Sequence, residues 1–486
     1  MKKRYIIGLD AGTTSVRSVI YDIVTNKIIC LKRATIRQYY PQKGYVEQDA
    51  EEIYFMLKNT MEQAIAEVDK PLDSYIGIGL TNQRETIVSF NKETGKPTHK
   101  AIVWQDRRTN DYIQKISPEI QKEIKNITGL IPDAYFSASK IKWILENSKR
   151  SQELLKNNKL YIGTLDSYLS FKFTGKFVTD TTNASRTMLM NLKNLSWDEQ
   201  LLKIFNIPKQ ILPTIISSAE NIGIVTEFNL PLLSIIGDQQ SSLFGNGAID
   251  VGSAKNTYGT GCFMLLNTGE KIVKSQNLLT TVAYTICGKT HYALEGSVFS
   301  ACSALNWTKE NLSITEDYES LDKKMLKLNS NSGIYFVPAF SGLGSPYWIP
   351  NAQTNISGIT FDTNKYMILR SVYESMAYNT KAILDEMTKC SNIKINELRV
   401  DGGGSKSQFL LSFQADMIDS PVSTGQTSEA TVLGCIYLAG LVSNYLSIQD
   451  IQNLTKHQKI YSPTMDEKTR NKYYSSWNTA VKKSIT

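Results

Sequence analysis

The sequence predicts an α/β protein built from two similar halves. Three observations predict it: a length of 486 residues, short apolar runs alternating with longer amphipathic segments, and a strand, small-residue turn, strand pattern found near the start and again in mid-chain. A single hydrophobic core stops growing at roughly 250–300 residues, so a chain of this length divides and leaves a cleft between its parts.

In the first half, Tyr5 to Leu9 and Ser18 to Ile23 read as strands joined by the small, hydroxyl-rich turn Ala11-Gly12-Thr13-Thr14-Ser15. Ile76 to Leu80, Thr86 to Phe90 and Ala101 to Trp104 are further strands, with Asn91 to Pro97 as a turn. Leu232 to Ile236 is a buried strand, and Gly237-Asp238-Gln239-Gln240 opens a helix with Asp238 as its N-cap. After Gly245-Asn246-Gly247 the pattern starts again, which puts the boundary at 1–246 and 247–486. Lys255 through Phe263 and then Met264 to Leu266 repeat the strand, turn, strand unit. There follow strands Tyr292 to Leu294, Tyr335 to Val337 and Leu398 to Val400. Helices are expected at Val298 to Glu310, Lys365 to Lys389, Ser407 to Ile418 and Thr431 to Leu441.

Lys and Arg number 54 against 46 Asp and Glu, a formal charge of +8. The basic residues are scattered, as in Lys122 to Lys125 and Lys156 to Lys159, so they read as solvated faces and not as a nucleic-acid surface. No run approaches the roughly 18 apolar residues of a membrane span. The opening Met-Lys-Lys-Arg imitates a signal peptide, but Asp10 cuts the apolar run short, and it reads better as a first strand. Six cysteines without any Cys-x-x-Cys pair point to a reduced, cytoplasmic chain. His99, His291 and His457 are the only histidines, which disfavours a histidine base or a multi-histidine metal centre.

Four constellations carry chemistry. In Gly8-Leu9-Asp10-Ala11-Gly12-Thr13-Thr14-Ser15 with Arg17, glycine lets backbone approach a ligand, hydroxyls and amides line a phosphate, and Asp10 could hold magnesium through its waters. The plainer reading is a tight hairpin with a capping aspartate. Asp401-Gly402-Gly403-Gly404 stands between a strand and a helix, where free N–H groups meet an anion, or where a turn is merely flexible. Gly237-Asp238-Gln239-Gln240 sits at the carboxyl end of a strand, a position where open α/β sheets bind ligands; Asp238 there is either a general base or a cap. Asn82-Gln83-Arg84-Glu85-Thr86 with Trp104 offers donors and acceptors beside an aromatic wall, or a salt-bridged turn beside a core tryptophan. No Walker-type loop and no His-Arg-Asp catalytic loop is present.

Taken in order, these segments resemble the FGGY family of carbohydrate kinases, and within it the members that act on glycerol. Further carriers of the likeness are Ile102-Val103-Trp104-Gln105, Tyr135-Phe136-Ser137-x-x-Lys140-x-Lys142-Trp143, Asn183-Ala184-Ser185-Arg186-Thr187-Met188, Lys255 through Phe263, and Pro338-Ala339-Phe340-x-Gly342-Leu343-Gly344. The match runs from about Tyr5 to Trp477. It implies two actin-like ATPase (ribonuclease H-like) domains flanking a deep cleft, and ATP-dependent phosphorylation of glycerol to sn-glycerol 3-phosphate. By resemblance, Arg84, Glu85, Tyr135, Asp238 and Gln239 hold the triol's hydroxyls, Trp104 and Phe263 contact its carbon face, and Asp238 is the base. Gly12, Thr13, Thr14, Ser15, Arg17, Thr260, Cys302, Asn306, Gly404 and Gln408 fall on nucleotide-contact positions. Asp10 and Asp238 fall in the Mg2+ region. A homo-oligomer, dimer or tetramer, is also implied.

Several positions depart from the family pattern. Ala11 replaces a usual glutamine, Cys302 and Asn306 stand where glycine and glutamine are usual on the adenine side, and Gln408 replaces an asparagine. The chain between Glu220 and Leu233 is short, which implies that a fructose 1,6-bisphosphate loop of bacterial relatives is absent. Two alternatives stay open: a kinase of another polyol or sugar, such as xylulose or gluconate, and a nucleotide-dependent regulatory protein with impaired turnover.

Overall fold

The computed structural model describes residues 3–328, 330–425, 427, 429–456 and 459–485; His457 lies outside them. Its frame is one sheet of 13 strands. In chain order these are β1 (Tyr5–Ala11), β2 (Ser15–Asp22), β3 (Lys27–Thr35), β4 (Tyr75–Asn82), β5 (Ala219–Val225), β6 (Leu230–Gly237) and β7 (Ala254–Tyr258). They continue with β8 (Cys262–Gly269), β9 (Leu279–Ile286), β10 (Lys289–Val298), β11 (Leu398–Asp401), β12 (Val422–Thr424) and β13 (Lys459–Tyr461). Across the sheet the order is β13-β12-β11-β7-β8-β10-β9-β5-β6-β4-β1-β2-β3.

One folding unit occurs twice in this sheet. β1 pairs antiparallel with β2, and β2 with β3, while β4 and then β6 add in parallel on the other side of β1. β7, β8, β10, β11 and β12 repeat that order and sense. Within the sheet the units join only through the parallel pair Ala219–Ile286 between β5 and β9. β1 and β4 are buried along their whole length, which is why they read as unbroken apolar runs. β3, at the edge, is largely exposed and carries Lys27, Lys32 and Arg33, charges that discourage further strand pairing.

The helices that matter for the site are α1 (Ala50–Val68), α2 (Ser137–Asn147), α3 (Asp238–Gly245), α4 (Cys302–Asn311), α5 (Lys365–Ser391), α6 (Gln408–Ile418) and α7 (Ala430–Val442). α1 starts at Asp49, whose carboxylate accepts from the Glu51 and Glu52 amides, and α5 starts at Asn364, which accepts from Tyr366 and Met367. α7 follows β11 and β12 of the second unit in sequence, yet it packs against β1, β4, β6 and α3 of the first unit. It is almost wholly buried. Among the described residues no helix is long and apolar enough to cross a membrane.

Several expected boundaries move. β2 begins at Ser15 because the hairpin closes tightly, with the Gly12 amide donating to the Ser15 carbonyl at 3.1 Å. The strands expected at Thr86 to Phe90 and Ala101 to Trp104 are Ile87–Asn91 and Ala101–Ile102. The helix expected from Val298 begins only at Cys302, since β10 runs through Val298 in register with Cys262 of β8. Asp238 is not the N-cap of α3. Gly237 takes that place in extended conformation (φ −61°, ψ 147°), and Asp238 is the first helical residue.

The crossing of α3 and α7 sets a sharp steric limit. A Cβ at Gly245 would overlap the Ala430 carbonyl, and one at Gly434 would overlap the Ser241 carbonyl; both obstacles are backbone. Gly434→Ala is therefore expected to destabilise by about 3 kcal/mol, the upper part of the overpacking range. A melting temperature equal to that of the unsubstituted chain would contradict this close approach.

Candidate active site

The site grows from the carboxyl ends of β1, β4 and β6, three neighbouring strands. β4 ends at Asn82, and the segment after it carries Arg84 and Glu85 inward. Two reciprocal hydrogen bonds between side-chain amides fix that segment: Asn82 Nδ2 donates to Asn183 Oδ1 at 3.0 Å and Asn183 Nδ2 donates to Asn82 Oδ1 at 3.1 Å. Asn183 belongs to a short helical turn capped by Asp180, whose Oδ1 accepts from the Asn183 amide at 2.9 Å. Glu85 sits in the left-handed region at φ 59°, which costs a non-glycine residue about 1–2 kcal/mol. Ser137 Oγ donates to its carbonyl at 3.1 Å and Arg186 Nε to its Oε1 at 2.7 Å, and these bonds offset the strain.

The charges here are almost entirely buried, and each has a partner. Arg84 Nη1 donates to Glu295 Oε2 at 2.7 Å and to Gln240 Oε1 at 3.1 Å. Its Nη2 donates to Glu295 Oε1 at 3.1 Å and to the Tyr135 hydroxyl at 3.4 Å. Arg186 Nη2 reaches the same Glu295 Oε1 at 3.0 Å. Burial opposes ionisation of Glu295, but the guanidiniums of Arg186 and Arg84 outweigh it and hold this acid down to about 2.

Asp238 stands apart. Its side chain is 27% exposed, against 2% or less for Arg84, Glu85 and Glu295. The Arg84 Nε lies 3.5 Å from its Oδ1, and the Gln239 amide donates to that oxygen at 2.7 Å. Loss of hydration raises its proton affinity above that of an ordinary aspartate, with Arg84 opposing. Beside it Lys255 Nζ donates to Gln239 Oε1 at 2.6 Å and Thr257 Oγ1 at 2.7 Å, and burial lowers this lysine to about 8. An aromatic wall completes this region: Trp104 meets Tyr135 edge-on at 5.6 Å between ring centroids and Phe263 at 6.4 Å. The pocket is thus polar on one side and apolar on another.

Trp104 also joins this pocket to the small-residue turn, since its Nε1 donates to Thr13 Oγ1 at 3.0 Å. In that turn the Thr14 carbonyl accepts from the Ile36 amide at 3.2 Å, and Ser15 Oγ accepts from Arg33 Nε at 3.0 Å. Arg17 pairs with Glu429 at 2.8 Å, just ahead of α7, and lies 3.8 Å from Asp10. Burial pushes Asp10 up to about 7, opposed by Arg17 and reinforced by the charge of Asp238. The buried Asp10, with Arg17 3.8 Å away, and the part-exposed Asp238 are the carboxylates here that could receive a divalent cation. Among the described residues no group of three or more His, Cys, Asp or Glu could hold a metal by itself. The donor set therefore fits a hydrated Mg2+ arriving with phosphate oxygens, not a fully protein-bound ion.

On the other side, Gly404 lies against Tyr258 and Cys302: an added Cβ would stand 2.8 Å from Tyr258 Cβ and 3.1 Å from Cys302 Sγ. Gly402 adopts φ 82°, which glycine alone reaches freely. The Thr260 carbonyl accepts from Ser303 Oγ at 2.9 Å, which ties it to the start of α4. Asn306 Oδ1 accepts from the Tyr318 hydroxyl, and the Gln408 amide donates to Asp322 Oδ2 at 3.0 Å.

The structure thus links Arg84, Glu85, Trp104, Tyr135, Asp238, Gln239 and Phe263 through direct contacts, with Gly12, Thr13, Thr14 and Ser15 next to them. Thr260, Cys302 and Gly404 form a second group, while Asn306 and Gln408 are engaged with Tyr318 and Asp322. Sequence reasoning missed Glu295 and gave no role to Arg186, Gln240, Lys255 or Glu429. One signal for Glu295 was available: an acid in the middle of the apolar run Tyr292-Ala293-Leu294-Glu295-Gly296 has to find a cation when buried.

Comparison with known proteins agrees with this architecture. The model for the FGGY family of carbohydrate kinases, N-terminal domain, matches residues 5–245, and that for the C-terminal domain matches residues 254–442. The chain belongs to the FGGY family of carbohydrate kinases, and its fold is of the actin-like ATPase type. Among its relatives is the glycerol kinase of Thermococcus gammatolerans, 43% identical over 488 residues, covering 99% of this chain and 98% of that protein. The glycerol kinase of Clostridium perfringens (strain 13 / Type A) is 43% identical over 493 residues, with 99% and 98% covered. Among solved structures, Plasmodium falciparum glycerol kinase with ADP superposes with a TM-score of 0.93 at 35% identity, covering 100% of this chain and 99% of that one. A gluconate kinase from Lactobacillus acidophilus shares the fold, with a TM-score of 0.88 at 24% identity over 98% of this chain and 97% of the other.

Lys140 supports the pocket from behind. It is fully buried, and its Nζ donates to the carbonyls of Ala134 and Tyr135, each at 2.6 Å, and of Phe136 at 3.3 Å. Burial lowers this ammonium to about 7. Lys140→Met would strand these acceptors at about 1–3 kcal/mol for each that finds no water. The expected result is a lower melting temperature and faster amide exchange at 133–136, with exchange in α5 unchanged; uniform acceleration throughout would contradict a local role.

Proposed function

We propose that this enzyme transfers the γ-phosphoryl group of ATP to glycerol, forming sn-glycerol 3-phosphate and ADP. The observation that carries the reading is the half-open carboxylate of Asp238, set among buried, paired charges and beside an aromatic wall. Relatives named glycerol kinase cover the chain nearly end to end and support the same reading.

In this reading Arg84, Glu85, Tyr135, Asp238 and Gln239 bind the three hydroxyls, and Trp104 and Phe263 lie on the carbon face. Asp238 accepts the proton of the attacking hydroxyl as the new O–P bond forms and the bond to the ADP oxygen breaks. Phosphoryl transfer passes through a loose transition state, so aligning the hydroxyl and neutralising phosphate oxygens matter more than strong base catalysis. Gly12, Thr13, Thr14, Ser15 and Arg17 face the phosphates; Thr260, Cys302, Asn306, Gly404 and Gln408 form the nucleoside side. Asp10 and Asp238 would hold a hydrated Mg2+, which when bound would supply charge neutralisation on the phosphates.

We place the domain boundary at residue 246, with 1–246 carrying the glycerol pocket and phosphate turn and 247–486 the nucleoside side; α3 ends at Gly245 and β7 begins at Ala254, which supports it. A homo-oligomer and a cytoplasmic location complete the proposal. Six free cysteines accord with a reducing compartment.

ADP release from MgATP tests the reaction directly. Asp238→Asn is expected to lower kcat by about 10²–10⁴-fold, the range for loss of a positioned base, and to raise KM for glycerol because the same carboxylate holds a hydroxyl. Propane-1,2-diol, which lacks one hydroxyl, is expected to be poorer than glycerol by about 10⁴-fold in kcat/KM, because the site's buried polar groups lose a partner. Faster turnover of a pentose or hexonate than of glycerol would reassign the substrate.

A further inference from the structure

Arg84 has five N–H groups, and their contacts are unequal. The shortest goes to Glu295 at 2.7 Å, and a second to the same carboxylate is 3.1 Å, so the pair is bidentate. The slackest lead to the Tyr135 hydroxyl at 3.4 Å, to Asp238 at 3.5 Å and to Glu85 at 3.8 Å. Those three neighbours are among the groups assigned to the incoming polyol. The guanidinium is therefore fastened on the side away from substrate and loosely held on the side toward it.

Glu295 comes from β10, after the boundary, whereas Arg84, Glu85, Arg186 and Asp238 all precede it. The contact spans 211 residues of sequence. Both oxygens of this wholly buried carboxylate are committed to arginines of the first unit, Oε2 to Arg84 and Oε1 to Arg84 and Arg186. Arg186 in turn holds Glu85 at 2.7 Å. One acid thus fixes the guanidinium of Arg84 directly and the carboxylate of Glu85 through Arg186.

An arginine beside a free carboxylate pairs with it unless something stronger holds it elsewhere. Were Arg84 to swing from Glu295 onto Asp238, it would occupy the oxygens that have to receive a hydroxyl proton. We propose that Glu295 is a positioning residue for phosphoryl transfer: it clamps Arg84 across the hydroxyl pocket and withholds it from Asp238. The role rests on the reading of glycerol as substrate. It also makes the pocket in the first unit depend on a strand of the second, so that the placement of the two units is felt where the hydroxyls bind.

The test uses the full-length enzyme, with glycerol and MgATP varied separately, for Glu295→Gln, Glu295→Asp and the unsubstituted chain. Glu295→Gln is expected to lose about 10²-fold in kcat/KM for glycerol, the scale of a 1 Å misplacement, while KM for ATP is unchanged. Glu295→Asp keeps the charge on a shorter stem and should recover part of the loss. If the glutamine variant fails to fold, a raised KM for glycerol at unchanged KM for ATP in the aspartate variant supports the role. Glycerol kinetics like the unsubstituted enzyme's in the folded variants, or equal changes for both substrates, would overturn it. An unsubstituted enzyme inactive on glycerol overturns the functional reading and the positioning role together, whereas activity on glycerol with unaffected variants overturns only the second.

Discussion

The close crossing of α3 and α7 is the constraint on which the site depends. At Gly245 and Gly434 backbone meets backbone, with no room for a side chain on either helix. The consequence is positional. α3 begins with Asp238 and α7 follows directly after Glu429, so one crossing places the open carboxylate and the partner of Arg17 in fixed relation. Because α7 comes from the second half yet packs on β1, β4 and β6, the strands bearing Asp10, Arg84 and Asp238 at or near their ends are braced from across the boundary. Buried apolar packing sets where the helices lie, and the glycines set how near they come.

On that frame sits a charge cluster whose local sum is close to neutral. Arg84, Arg186 and Lys255 face Glu85, Glu295 and Asp238. Burying six charges is costly unless each is matched, and removing one partner leaves another uncompensated. Only Asp238 retains substantial contact with the surroundings. A neutral cluster with one part-exposed carboxylate suits an uncharged polyol and offers a single proton acceptor at a defined atom. Asp10 is different: burial raises its proton affinity, and Arg17 offsets that only in part.

How much of this was legible follows from sequence separation. Turns and strand ends are local, so Gly8 through Ser15, Asn82 through Thr86, Gly237 through Gln240 and the glycines at 402–404 all announced themselves by residue type. The repeated strand unit was legible for the same reason. The cap of α3 was misplaced by one residue because Gly237 and Asp238 are both good caps, and only the backbone angles distinguish them. The strand-to-helix switch after β10 was set early because Val298 pairs with Cys262, a register that no local pattern records.

Long-range pairing was not legible at all. Arg84 was singled out as one of several donors beside an aromatic residue, yet what makes its position definite is a glutamate 211 residues away. Arg17 likewise looked like a phosphate contact, and its partner Glu429 lies 412 residues off. Both partners belong to the other half of the chain. A motif can state which groups meet the substrate, because those groups cluster in sequence around a turn. It does not state what holds them still, because the restraint comes from whichever element the fold lays alongside. In a protein of two like units the restraint crosses from one to the other, so the geometry of the pocket is a property of both units even where nearly all its lining residues come from one.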